Sequence, residues 1–200
     1  MRTKTKLGLL TAACVLVLAP VAMALTIIGT EDADRIIGSR GPDRITALGG
    51  DDKVHALGGD DKVKAGEGND GVGGYGGNDF LRGGAGDDRQ RGGDGHDFIR
   101  AGLGADVSSG GNGHDRLGGG AKEDVLTEGV DTLDGGPDND RLYARDGEAD
   151  LITCGDGDRD RASLDPLDVI TDATPEDPNG SCEVVLRREV PPDEEPPPAE

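Results

Sequence analysis

Residues 83–100 read GGAGDDRQRGGDGHDFIR and state one theme twice at a spacing of nine: two glycines, any residue, a glycine, any residue, an aspartate, then three more residues. Working outward, the aspartate is the fixed point. From Asp34 it recurs every nine residues without a miss, through Asp43, Asp52, Asp61, Asp70, Asp79, Asp88, Asp97, Asp106 and Asp115 to Asp124. Two residues after each anchor the side chain is apolar in nine of the eleven cases, from Ile36 to Leu126; Gln90 and Ser108 are the exceptions. Self-similarity at a short fixed period marks a repeat architecture, in which each unit buries its apolar side only by stacking on its neighbours.

Three residues with an apolar centre make a short, half-buried strand, and six Gly-rich residues make a turn. One unit is thus half a coil, and eighteen residues bring the chain back over itself by about 4.8 Å, the spacing of paired strands. The pattern predicts an all-β fold, a right-handed parallel β-roll in which two parallel sheets face each other through a thin aliphatic core. Residues eighteen apart then stack, which places Ile36, Val54, Val72, Gln90, Ser108 and Leu126 on one sheet and Ile45, Val63, Leu81, Ile99 and Leu117 on the other. Gln90 and Ser108 fall side by side, where a mutual hydrogen bond would leave a soft place in the core. The same spacing stacks Phe80 on Phe98 as an outward aromatic rung, and His96 on His114 as solvated turn residues rather than a transition-metal pair.

Charge sets the next constraint, since the chain carries 41 acidic and 21 basic residues for a formal charge of -20. Arg2, Lys4 and Lys6 precede an apolar run that ends in Ala22-Met23-Ala24, the layout of a cleavable signal peptide. Removing residues 1–24 takes away three bases and no acid, which leaves -23 over 176 residues. Leu, Ile, Val and Phe are only 33 of those 176, a composition that with so much charge goes with disorder. Nucleic acid and anionic membranes are poor partners for this charge, whereas cations are good ones. Stacked coils would also line each edge with a column of like-charged anchors. A divalent cation between successive turns turns that repulsion into cohesion, and carboxylates with inward-turned backbone carbonyls are hard oxygen ligands suited to calcium.

These units resemble the RTX, or haemolysin-type, calcium-binding repeats of secreted bacterial proteins, whose motif is GGxGxDxUx with U a large aliphatic residue. Full GGxGxD matches stand at 83–88, 92–97 and 110–115, with near matches "AGEGND" ending at Asp70 and "AGLGAD" ending at Asp106. The resemblance implies several Ca2+ ions between turns on the same edge. Their ligands would be the carboxylates of Asp43, Asp52, Asp61, Asp70, Asp79, Asp88, Asp97, Asp106 and Asp115 and the backbone carbonyls of Gly68, Gly86, Gly95, Gly104 and Gly113. It puts the best sites between Asp70 and Asp88, Asp88 and Asp106, Asp79 and Asp97, and Asp97 and Asp115. "ALGGDD", ending at Asp52 and at Asp61, departs from the motif, as do Asp32 and Lys122 where a glycine belongs. These departures weaken the sites toward both ends.

Beyond Asp124 the register slips, with Asp131, Asp140, Asp150, Asp160 and Asp168 at unequal intervals. The reading divides the chain into a signal peptide (1–24), calcium-binding repeats (25–142), a C-terminal cap (143–188) and a disordered Pro/Glu tail (189–200). Cys154 and Cys182 are the cysteines left after signal removal, and an even count in an exported chain reads as a disulfide, with two free thiols as the alternative. Gly71, Gly73 and Gly76 spell GxGxxG without a βαβ unit around them, and an EF-hand start at Asp156 fails at Arg161 and Leu167. Neither HExxH nor a GxSxG elbow is present. The expectation is a secreted, extracellular, non-catalytic calcium-binding protein, with no membrane span after signal cleavage and with folding driven by Ca2+. The alternative is a calcium-dependent adhesive or cell-surface structural protein that meets cell-envelope or extracellular components through Phe80, Phe98 and its exposed edges.

Overall fold

The computed structural model describes residues 23–118 and 130–187, apart from 146, 148, 172 and 174–179. The signal peptide, but for its last two residues, and the Pro/Glu tail lie outside the described residues. Within them every regular element is a strand. Alternate half-coils go to opposite sheets, as the nine-residue period requires. The strands β1 (Thr26–Ile28), β3 (Arg44–Gly49), β5 (Lys62–Glu67), β7 (Phe80–Ala85), β9 (Phe98–Leu103), β11 (Arg116–Gly118), β13 (Arg141–Ala144), β15 (Arg161–Leu164) and β17 (Val184–Arg187) form one sheet in that order. The other sheet holds β2 (Arg35–Ile37), β4 (Lys53–His55), β6 (Gly71–Gly76), β8 (Arg89–Asp94), β10 (Val107–Asn112), β12 (Thr132–Pro137), β14 (Leu151–Asp156) and β16 (Val169–Ile170), again in order. Neighbours in both sheets run parallel, with the chain advancing one coil per pair.

The register is the one the period dictates as far as Asp115. Ile45 lies beside Val63, Val63 beside Leu81 and Leu81 beside Ile99, all buried on the inner face of one sheet. Val54, Val72, Gln90 and Ser108 follow one another in the other. The two polar members are as buried as their neighbours, and the Ser108 hydroxyl donates to Gln90 Oε1 at 3.0 Å while Gln90 Nε2 donates to the Arg100 carbonyl at 3.2 Å. A second, smaller inward layer comes four residues after each anchor, where Ala47, Ala56, Ala65 and Ala101 are fully buried.

One expectation is corrected. Leu126 does not stack on Ser108; Leu133 does, and Leu142 pairs with Leu117. The coil that starts at Asp106 is closed by Asp131, twenty-five residues on, rather than by Asp124. Residues 119–129 lie outside the described residues, but the sequence supplies the reason for the skip. The inward place four residues after an anchor takes Gly, Ala or Cys in every coil up to Cys154, and after Asp124 that place would fall to Glu128. After Asp131 it falls to Gly135, with Gly136 next in a positive-φ turn (102°). Beyond this point coils of unequal length carry the ladder through β17, within the segment expected to cap the roll: Asp131 leads to Asp150 over nineteen residues and Asp140 to Asp160 over twenty. The disulfide Cys154–Cys182, S–S 2.02 Å, fastens β14 to the chain just before β17, and both cysteines are buried.

Candidate metal site: two columns of stacked aspartates

Each anchor aspartate from Asp43 to Asp115 lies between a turn and a strand, and its side chain points into the molecule rather than out of it. From Asp52 to Asp115 these residues are no more than 2% exposed. One oxygen of each has a fixed partner. Oδ1 reaches back one coil and accepts the backbone N–H of the preceding anchor in its column: Asp34 donates to Asp52 and Asp43 to Asp61 at 2.7 Å. At 2.8 Å, Asp52 donates to Asp70, Asp61 to Asp79, Asp70 to Asp88, Asp79 to Asp97, Asp88 to Asp106 and Asp97 to Asp115. The result is a column of carboxylates along each edge. Each carboxylate closes the turn before it by satisfying an N–H that the strand ladder leaves out.

The other oxygen has no such partner. Oδ2 of Asp52, Asp61, Asp70, Asp79, Asp88, Asp97, Asp106, Asp115, Asp140 and Asp160 is buried without a hydrogen-bond donor among the described residues. A buried carboxylate oxygen with no donor is costly, and a regular column of them is not an accident of packing. The cost shows in the acidities. Burial holds the carboxyls of Asp61 and Asp88 up at about 7 and those of Asp70, Asp79, Asp97, Asp106 and Asp115 at about 6. The N–H bonded to Oδ1 opposes that rise in every case, and for Asp61 and Asp88 the aspartates of adjacent coils add to it.

The glycines expected to offer carbonyls stand two residues before their anchors. Gly68, Gly86, Gly95, Gly104 and Gly113 all have positive φ, between 116° and 137°. They sit on one another so closely that a Cβ at Gly86 would lie 2.4 Å from the Gly68 carbonyl oxygen, and one at Gly104 2.5 Å from that of Gly86. The carbonyls therefore form columns of their own. Among the described residues no three His, Cys, Asp or Glu side chains converge as a metal cage. A cation would thus draw on backbone oxygens as well as on carboxylates, and Oδ2 atoms without donors together with turn carbonyls make a donor set that fits a hard divalent ion.

The two ends of the stack are built differently. Asp34 Oδ2 accepts the Thr30 N–H at 2.6 Å and the Thr30 hydroxyl at 3.0 Å, and Asp43 Oδ2 accepts the Ser39 N–H at 2.6 Å. At the other end Asp168 takes the Asp150 and Asp165 N–H groups on its two oxygens, at 3.2 and 2.7 Å. The terminal carboxylates are satisfied by protein donors, whereas Oδ2 of the anchors from Asp52 to Asp115 is not. Of the sequence-derived ligands, Asp43 is thus the one whose second oxygen already has a donor.

A further column was missed by sequence reasoning. Where the residue just before an anchor is Asp, Asn or His, its side chain also reaches one coil on: Asn69 N–H donates to Asp51 Oδ1 at 2.9 Å, and Asp87 N–H to Asn69 Oδ1 and His96 N–H to Asn78 Oδ1 at 2.8 Å. His96 and His114 belong to this ladder. The His114 N–H donates to His96 Nδ1 at 2.9 Å, that of Asn139 donates to His114 Nδ1 at 3.0 Å, and the rings stack 5.1 Å apart. The histidines thus stand in for Asn and Asp as backbone acceptors. The signal was present as Asp, Asn or His at 51, 60, 69, 78, 87, 96 and 114, in step with the anchors.

A model of the RTX calcium-binding nonapeptide repeat (4 copies) matches the chain over residues 28–63, 47–81, 55–90, 73–108, 82–117 and 126–158, more than half of its length. A comparison with curated proteins finds no match.

Proposed function

This chain belongs to the RTX calcium-binding nonapeptide-repeat family, and from that premise we propose that it is a secreted, non-catalytic protein whose folding is driven by several Ca2+ ions held between successive turns. The observation that carries the reading is the row of buried Oδ2 atoms without donors from Asp52 to Asp115. Asp52, Asp61, Asp70, Asp79, Asp88, Asp97, Asp106 and Asp115 would hold the ions through that oxygen. Gly68, Gly86, Gly95, Gly104 and Gly113 would add their carbonyls, while Asp43, already bonded to Ser39, closes the column. Bound calcium supplies positive charge to a column that otherwise repels itself. The chain's own part is to keep Oδ1 on the neighbouring N–H, which sets the spacing of the carboxylates, and to bury Oδ2 away from water. Secretion is supported by the signal-like residues 1–24, and the four-part division of the chain stands as proposed from the sequence.

Calorimetric titration of the full chain tests this reading. Several ions should bind cooperatively, with midpoints on the order of 0.1–1 mM as in extracellular calcium modules. Absence of calcium heat at millimolar concentration, with magnesium and calcium alike, would overturn it.

A further inference from the structure

Asp43 is the first aspartate of the column that runs along the nine-stranded sheet, and the residue eighteen places before it is Leu25. Leu25 nevertheless holds an anchor's place in its two backbone hydrogen bonds. Its N–H donates to Asp43 Oδ1 at 2.7 Å, as the Asp43 N–H does to Asp61 Oδ1 at 2.7 Å. Its carbonyl accepts the Arg44 N–H at 2.8 Å, as the Asp43 carbonyl accepts that of Lys62 at 2.9 Å. The strand β1 starts at the next residue. Asp43 is buried, and Ser39 donates to both its oxygens, the hydroxyl to Oδ1 at 3.0 Å and the N–H to Oδ2 at 2.6 Å. Two boundaries therefore fall between the same pair of residues. Ala22-Met23-Ala24 has the small residues that precede a signal cleavage point, and the register of the roll begins at Leu25. Met23 and Ala24 are exposed, whereas Leu25 is half-buried.

We infer that the chain is cut between Ala24 and Leu25 and that the α-ammonium so released is built into the fold, as an ion pair with Asp43 that heads this column. The inference rests on the reading of the chain as exported. Hydrolysis by a peptidase adds one water across the bond: Ala24 leaves as a carboxylate with residues 1–24, and Leu25 keeps the nitrogen as an ammonium. An amide N–H and an ammonium can fill the same 2.7 Å contact, but only the ammonium brings a positive charge, and a charge-assisted bond is about twice as strong as a neutral one. That charge meets a buried carboxylate at the head of a column that repels itself, where salt screens it less than on an open surface. Processing and folding are thereby joined, because the uncut chain has the contact without the charge. The uncut chain also has a contact that cutting removes, from the Ser39 hydroxyl to the Met23 carbonyl at 2.7 Å. A gain in stability on cutting must therefore come from the new ammonium rather than from the contacts already present.

N-terminal sequencing of the exported chain should read Leu25 first. In saturating calcium at pH 7, where an α-amine is charged, the Gly29 and Arg44 amides report the closure of the first coil, since they bond to the Thr46 and Leu25 carbonyls. Their hydrogen exchange should be about tenfold slower in the chain that starts at Leu25 than in one that keeps residues 22–24, a difference of about 1.4 kcal/mol. Asp43→Asn keeps an acceptor and removes the charge, and should shrink that gap to less than about twofold. Acylation of the Leu25 amine needs no variant: in the calcium-loaded parent it should be about tenfold slower than in concentrated urea. Cutting at another bond, exchange no slower in the chain that starts at Leu25, a gap that survives in Asp43→Asn, or an amine acylated as fast in the folded chain as in urea would each overturn the inference. A chain cut at Leu25 whose amine reacts freely contradicts the ion pair alone, whereas a chain that is not exported contradicts the export reading as well.

Discussion

At the scale of the residue, each anchor aspartate from Asp52 to Asp115 has two unlike oxygens, one bonded to a neighbouring N–H and one buried without a donor. Asp88 Oδ1 caps the Asp70 N–H, and Asp88 Oδ2 is the proposed ligand. Two substitutions divide them. In chelator at pH 5, where the carboxyls are protonated, Asp88→Ala should lose about 1–3 kcal/mol because it orphans a buried N–H, whereas Asp88→Asn keeps an acceptor and should stay within about 0.5 kcal/mol of the parent. In calcium at pH 7.5 both should raise the calcium midpoint. Thermal melts and calcium titrations followed by circular dichroism read the two effects. If Asn and Ala behaved alike in chelator, the capping role of Oδ1 would be wrong. The anchors were legible from sequence because one residue type at one spacing cannot arise from packing alone. Their twofold use was not, since only coordinates show which oxygen meets the neighbouring N–H and which meets nothing. The ladder one place earlier escaped notice for a related reason: Asp, Asn and His look unlike as letters but are one acceptor to a backbone N–H.

At the scale of the element, the strands are short, and stacking rather than length holds them. The inward row of the eight-stranded sheet runs Val54, Val72, Gln90, Ser108, Leu133, so its apolar contact is broken for two coils. The hydrogen bond between Gln90 and Ser108 offsets the burial of both groups, but two aliphatic side chains would bury more apolar surface with no polar atom to satisfy. Gln90→Leu/Ser108→Val should therefore stabilise the calcium-loaded protein by about 1–2 kcal/mol in urea unfolding. Each single substitution, by stranding its partner's polar group, should destabilise it. Additive gains from the singles would contradict the pairing. The strands, their sheets and their register to Asp115 were legible because the period fixes all three at once. The skip from Asp106 to Asp131 was not: the anchor rule continues smoothly to Asp124, and only the inward place that Glu128 cannot fill argues against it. A repeat read by its most visible residue conceals a break at its least visible one.

At the scale of the whole molecule, the roll stacks carboxylates it cannot comfortably ionise. With folded-state values near 6 to 7 against 3.8 in the unfolded chain, the metal-free roll binds more protons than the unfolded chain between those limits. Its stability is therefore greatest at the acid end and falls as pH rises through about 6 to 7. Calcium needs the deprotonated form, so its affinity should fall as pH drops through the same range. Circular dichroism in chelator should show more β structure at pH 5 than at pH 8, and the calcium midpoint should move the opposite way; a metal-free signal that strengthened toward pH 8 would refute the burial of these charges. The most direct measurement is small-angle scattering of the full chain in chelator at pH 7.5, repeated after addition of millimolar calcium. An expanded, unfolded profile should collapse to that of a rod on addition of the ion. A compact rod already present in chelator, unchanged by calcium, would show that the carboxylate columns hold together without it.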